Sequence, residues 1–261
     1  MSDDPLDPDT AGLLDRFTAA LRQALPLTAL WAHGSLAGGD YRPGRSDLDL
    51  VAVLHRPWTP EERQRLLALH RRLDADVPLA AKLHCAYVAA GALDDPARDH
   101  PAWAHRELLH RPVTLVTRRE LHAFGRVLAG PPPAGVVPEV TDGQLHDHIV
   151  EDLAGYWRPA VDHADRWLQD VWVDLGLLTL ARAHETLRSG RLITKGQALD
   201  VLAALGAPAD VVADIRRRRY DADPDPATAA WRARRAELTR SFLAPALDDA
   251  VRTARSRRLR G

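Results

Sequence analysis

The chain has 261 residues, 46% of them hydrophobic and 27% charged, enough for one large domain or two ordinary ones with a buried core. Its 35 basic and 36 acidic side chains leave a net charge of −1, so no overall field favours nucleic acid or an acidic membrane surface. The single cysteine, Cys85, excludes an internal disulfide and a Cys-built zinc site, and fits a reducing, cytoplasmic location.

The opening MSDDPLDPDT is acidic and contains proline, and it does not read as a secretory signal. No run of about 18 apolar residues follows that would span a membrane. Leu13, Leu14, Phe17, Leu21 and Leu25 recur at helical spacing, with Thr10 placed to cap the helix and Pro26 to end it. LTALWAHGS then reads as a strand entering a turn, SDLDLVAVL as a second strand, Thr59 to Leu73 as an amphipathic helix, and AKLHCAYVAA as a third strand. RPVTLVTR fits a fourth strand or the lead into a short helix. AGPPPAGVVPEV, residues 129–140, carries three consecutive prolines that no helix interior or central strand tolerates. The domain boundary therefore falls near residue 135, and helical patterns follow at 141–165, 167–189, 194–205, 208–220 and 226–256. The fold class is α+β: residues 1–135 form a domain with a short mixed sheet, and residues 136–261 an all-α bundle. The Arg-rich end RTARSRRLRG reads as a solvated helix terminus.

The chemistry concentrates in GSLAGGDYRPGRSDLDLVAVL, residues 34–54. Asp47 and Asp49 are spaced so that a strand sends both to one face, about 6–7 Å apart. Two carboxylates kept ionised at that spacing call for a cation, and oxygen-only ligation beside a phosphate suits Mg²⁺. Gly34 and Ser35, at the end of the preceding strand, supply close backbone approach, turn N–H groups and a hydroxyl for a phosphate; Ser46 adds a second hydroxyl. A phosphate cradle beside a metal pair is equipment for nucleotidyl transfer. No Walker A, G-x-G-x-x-G, H-E-x-x-H or G-x-S-x-G pattern occurs, and His146 and His148 diverge on a helix start and read as no metal site.

Gly34-Ser35 followed by Asp47-Leu48-Asp49 resembles the Gly-Ser…(Asp/Glu)-x-(Asp/Glu) signature of polymerase-β-like nucleotidyltransferases. LGLLTLARAHETLRSGRLITKGQALDVL, with RRRRY further on, resembles the helical C-terminal domain of the streptomycin/spectinomycin adenylyltransferases. The resemblance runs from about residue 10 to 250. It implies transfer of AMP from Mg–ATP to a hydroxyl of an aminoglycoside or aminocyclitol, in a cleft between the two domains. It implies Asp47 and Asp49 as Mg²⁺ ligands, Ser35 and Ser46 on the triphosphate, Arg182 and Lys195 reaching ATP from the helical domain, and Tyr220 beside the nucleotide.

These enzymes place a glutamate on the next strand, facing the carboxylate pair. The matching position here is His84, on a strand with no acid. Three readings stand open: His84 is the base, which an ordinary imidazole permits; an acid from elsewhere, such as Asp74 or Asp76, fills the role; or the chain is an impaired relative that binds nucleotide as a regulator or binding module. Cys85 faces the other side of the strand and packs. For a polycationic acceptor, Asp170 and Asp174, one helical turn apart within DHADRWLQDVWVDLG and accompanied by Asp165, Trp167 and Trp172, offer an acidic, aromatic face. An acceptor other than an antibiotic, or a protein, is also compatible with this fold.

Overall fold

The computed structural model describes residues 5–222 and 227–258. The chain divides into two compact units, Met1–Val140 and Thr141–Gly261. The last three residues of the Arg-rich end, and position 226 at the start of the last expected helix, lie outside the described residues.

In the first unit, helix α1 spans Pro8–Ala24, where Asp7 rather than Thr10 caps the start: its carboxylate accepts from the Thr10 N–H. Pro8 explains the shift, because a proline suits the first helical turn and leaves the cap to the residue before it. Thr10 is buried inside the helix, its hydroxyl 2.9 Å from the Tyr41 phenol. Strand β1 (Leu27–Ala32) runs into a single helical turn, α2 (Gly34–Ala37), and strand β2 covers Leu48–Leu54. Helix α3 (Pro60–Asp76) starts on a capping box between Thr59 and Glu62. Strands β3 (Leu83–Ala89), β4 (Asp99–Ala104) and β5 (Glu107–Pro112), helix α4 (Leu115–Phe124) and strand β6 (Arg126–Ala129) complete the unit. RPVTLVTR is thus the end of a strand and the lead into a helix.

The six strands form one mixed sheet in the order β5-β4-β3-β2-β1-β6. Only β2 and β3 pair in parallel, because the crossover between them is made by α3. One face of the sheet carries Leu48, Leu50, Leu83, Cys85 and Tyr87 and packs under Leu13, Phe17 and Leu21 of α1 and Leu66, Leu69 and Leu73 of α3. The other face carries Val51, Val53, Ala86 and Val88 under Leu121 of α4 and Val137. Asp49 and His84 belong to this second face by strand alternation, two residues before Val51 and Ala86.

The second unit is helical: α5 (Asp142–Asp152), a π-turn at Leu153–Trp157, the short α6 (Arg158–Ala160), a 3₁₀ turn at Ala164–Leu168, then α7 (Asp170–Ser189), α8 (Lys195–Ala204), α9 (Ala209–Tyr220) and α10 (Ala229–Arg258). The single helix expected over 141–165 is therefore broken, and the π-turn precedes Pro159, whose ring lacks the N–H a continuous helix needs. Trp167 is fully buried, donates to the Ala160 carbonyl at 3.0 Å, and lies where any Cβ on Gly176 would approach its ring to 2.7 Å. No helix among the described residues is long and apolar enough to cross a membrane.

Candidate active site

The site begins at the end of β1. The His33 N–H donates to the Asp49 carbonyl at 2.9 Å, tying the turn to the start of β2. Gly34 then takes φ +61, and a Cβ there would meet Asp49 Oδ2 at 2.8 Å. Both facts demand glycine: the left-handed backbone disfavours a side chain, and the carboxylate occupies its space. The turn and Asp49 are therefore in direct contact.

Behind the turn stands Glu120 of α4, 5% exposed, which accepts from the Gly34 N–H at 3.2 Å and lies 3.1 Å from His33 Nδ1. The Gly34 N–H is thus committed to a carboxylate rather than offered to a phosphate, and Ser35 is the polar side chain left on the turn. Ser46 is buried, and its hydroxyl accepts from the Arg42 N–H at 3.1 Å, closing the loop that leads into β2.

Strand β2 starts at Leu48, so Asp47 sits one residue before the strand and Asp49 within it. The parallel register sets Leu48 opposite Leu83 and Asp49 opposite His84. His84 is 6% exposed, with Nδ1 at 3.7 Å from Asp49 Oδ1. It faces the Asp49 carboxylate. One step back, Lys82 Nζ lies 3.7 Å from Asp47 Oδ1. Two acid–base pairs thus stand side by side, one across the adjacent strands and one just ahead of them. His105, in the β4–β5 turn, packs edge-on against the His84 ring with centroids 4.8 Å apart. Cys85 points to the helix-covered face, where burial pushes its thiol up to about 12, so it is an inert packing residue.

Among the described residues, no three His, Cys, Asp or Glu side chains converge to hold a metal unaided. Asp47 and Asp49, with side chains 43% and 30% exposed, offer hard oxygens from two carboxylates. That donor set fits a Mg²⁺ ion whose remaining ligands come from phosphate and water.

In the second unit, Arg182 of α7 donates from Nε to the Ile193 carbonyl at 3.1 Å, bracing the loop that leads to Lys195 at the start of α8. The two predicted cationic contacts are thereby brought near one another along the chain's course. Tyr220 closes α9, with the Arg219 guanidinium 5.5 Å from its ring. Asp174 is held bidentately by Arg218 at 2.6 and 2.8 Å. Asp170 pairs with the fully buried Arg235, which also donates to Asp214 at 2.8 Å; Asp214 in turn accepts from Arg217 and Arg218. Burial raises the Asp174 carboxyl despite Arg218, whereas the three arginines outweigh burial and lower Asp214. The expected acidic face is a cluster of three aspartates and three arginines that pins α7, α9 and α10 together.

Residues 14–95 match the family model for the nucleotidyltransferase domain. This part of the chain is similar to a nucleotidyltransferase domain. The fold also matches the spectinomycin adenyltransferase AAD(9) from Enterococcus faecialis, solved with ATP and spectinomycin, with a TM-score of 0.69 over 91% of this chain and 99% of that one, at 14% identity. The first finding supports the resemblance to nucleotidyltransferases, and the second shows the same overall fold. No curated protein sequence matches the chain. The turn carrying Gly34 and Ser35, the Asp47–Asp49 pair and His84 all fall inside the matched residues.

Glu120, His33, Lys82 and His105 were not legible as site residues. Lys82 had a signal: it lies two residues before His84, the same spacing that pairs Asp47 with Asp49. Glu120 and His105 come from elements remote in sequence and had none.

Proposed function

We propose that the protein transfers AMP from Mg–ATP to a hydroxyl of an aminoglycoside or aminocyclitol. The observation that carries this reading is the contact of the Gly34 turn with Asp49, which stands in register with His84. Asp47 and Asp49 would hold the metal, which when bound neutralises phosphate charge and fixes the triphosphate. Ser35 and Ser46 lie on the segments that flank this pair, and Arg182, Lys195 and Tyr220 are the residues of the helical unit assigned to ATP. His84 takes the proton from the acceptor hydroxyl; the oxygen attacks the α-phosphorus, and the bond to pyrophosphate breaks. The matched spectinomycin enzyme, solved with ATP and spectinomycin, supports both substrate classes. No role for nucleic acid or membrane enters, and the setting is the cytoplasm.

One observation favours a second acceptor class. Asp170 and Asp174 are neutralised by Arg235 and Arg218, so this face holds no net negative charge for a polycation. A less cationic alcohol, attacking the α-phosphorus in the same way, fits that balance better.

Mass spectrometry of mixtures containing ATP, Mg²⁺ and a panel of aminoglycosides and aminocyclitols tests the reading. We expect a single AMP adduct with the wild type and none with Asp47→Ala/Asp49→Ala. Absence of an adduct on every compound, with Mg–ATP still bound, overturns the antibiotic reading and leaves the second acceptor class or an impaired nucleotide-binding relative.

A further inference from the structure

We propose that Lys82 is a phosphate-binding residue of the nucleotide site, held on Asp47 while the site is empty and passed to the triphosphate when metal and nucleotide arrive together. This rests on the nucleotidyltransferase reading above.

The parallel register of β2 and β3 sets His84 against Asp49, and just before its first rung, Leu48 opposite Leu83, the Lys82 ammonium lies against Asp47. The Lys82 pair is open to solvent: its side chain is 36% exposed and that of Asp47 43%, with 3.7 Å between Nζ and Oδ1. Exposed ion pairs at such a distance are weak and readily exchanged. A divalent cation taking up the Asp47 oxygens repels the ammonium from the same carboxylate. The neighbouring anion is then the phosphate chain on that cation, which carries several negative charges against the one of Asp47. The exchange is therefore favourable only when the metal comes with its nucleotide.

Residue type points the same way. Only two lysines, Lys82 and Lys195, stand among 35 basic residues. A guanidinium at position 82 would grip Asp47 with a planar fork, as Arg218 grips Asp174. An ammonium is a compact point charge on a flexible stem, able to swing from one anion to the next. The lack of a third metal-binding side chain among the described residues adds to this, since the cation needs phosphate oxygens to complete its shell. Lys82 thus suppresses binding of free metal and rewards the metal–nucleotide pair.

Calorimetric titration of the full chain tests the proposal with two probes, Mn²⁺ alone and Mg²⁺ with the non-reacting analogue α,β-methylene-ATP. Lys82→Met is expected to weaken analogue binding roughly tenfold or more, while binding Mn²⁺ alone a few-fold more tightly. Lys82→Arg is expected to fall short of wild type with the analogue, because the fork stays on Asp47. Analogue affinity of Lys82→Met within about twofold of wild type overturns the proposal. So does a parallel loss of Mn²⁺ binding, which would make Lys82 a prop for Asp47. Wild type that binds no analogue at all sinks the nucleotidyltransferase reading itself.

Discussion

His84 Nδ1 faces Asp49 Oδ1 at 3.7 Å from a position only 6% exposed, on the strand where the resembling enzymes carry a glutamate. Either residue type can serve as a base, but a carboxylate would add a third negative charge to Asp47 and Asp49 where a neutral imidazole does not. The two residue types predict different kinetics. His84→Ala should lower kcat by about 10²–10⁴-fold, the usual contribution of a positioned base, with Mg–ATP affinity nearly unchanged. His84→Glu should recover part of that loss and tighten Mn²⁺ binding, since its oxygens suit a hard cation. A steady-state assay paired with metal titration reads both, and an unchanged kcat in His84→Ala would assign the base elsewhere. Gly34, Asp47 and Asp49 were legible in the sequence because their chemistry is local: a turn, an i, i+2 pair and an aliphatic strand. Glu120 was not, because nothing in TRRELHAF announces that its acid will lie beneath a turn 86 residues earlier.

Elements whose partners are local in pattern read correctly, and those stabilised by tertiary pairing did not. The strands β2 and β3 are aliphatic runs and stand out, whereas β4 begins Asp-His-Pro and β5 is half exposed with no fully buried residue, so neither has a clear period. They are held by pairing with each other around a two-residue turn, His105-Arg106. Both residues of that turn take positive φ, +53 and +65, the geometry that hairpin turns fill with Asn-Gly. Such backbone costs on the order of 1 kcal/mol or more per non-glycine residue. The strain keeps a ring against His84. Arg106→Gly should therefore stabilise the protein by about 1 kcal/mol at unchanged activity, its only cost being the exposed contact with Asp74. His105→Asn should also relieve the turn but lower kcat several-fold, because the His84 ring loses its edge contact. Urea unfolding measured beside the transfer assay separates the two substitutions; equal effects on activity would make the turn purely structural.

At the scale of the whole chain, a net charge of −1 means that self-repulsion contributes little near neutrality, and individual buried groups govern how stability responds to acid. His70 is the strongest of these. It lies 3% exposed on α3, its ring stacked on Trp103 at 4.2 Å and its Nε2 2.6 Å from the Tyr87 phenol, so one neutral imidazole joins the helix to two strands. Burial pushes its pKa down to about 3 from 6.5. In the unfolded chain the same ring takes up a proton near 6.5, so the unfolded state binds more protons throughout the interval between the two values. Stability from this group is full above about 6.5 and falls toward pH 3, by about 1.4 kcal/mol per unit. His100, lowered by burial and by Arg118, adds in the same direction. Urea unfolding between pH 7.5 and 5 should show the loss in the wild type. The double variant His70→Phe/Tyr87→Phe, which removes both polar partners and keeps an aromatic ring against Trp103, should show a shallower slope by about 1 kcal/mol per unit. Parallel slopes in the two proteins would mean that His70 takes up a proton inside the fold, and that the contact between α3 and the sheet opens before the chain unfolds.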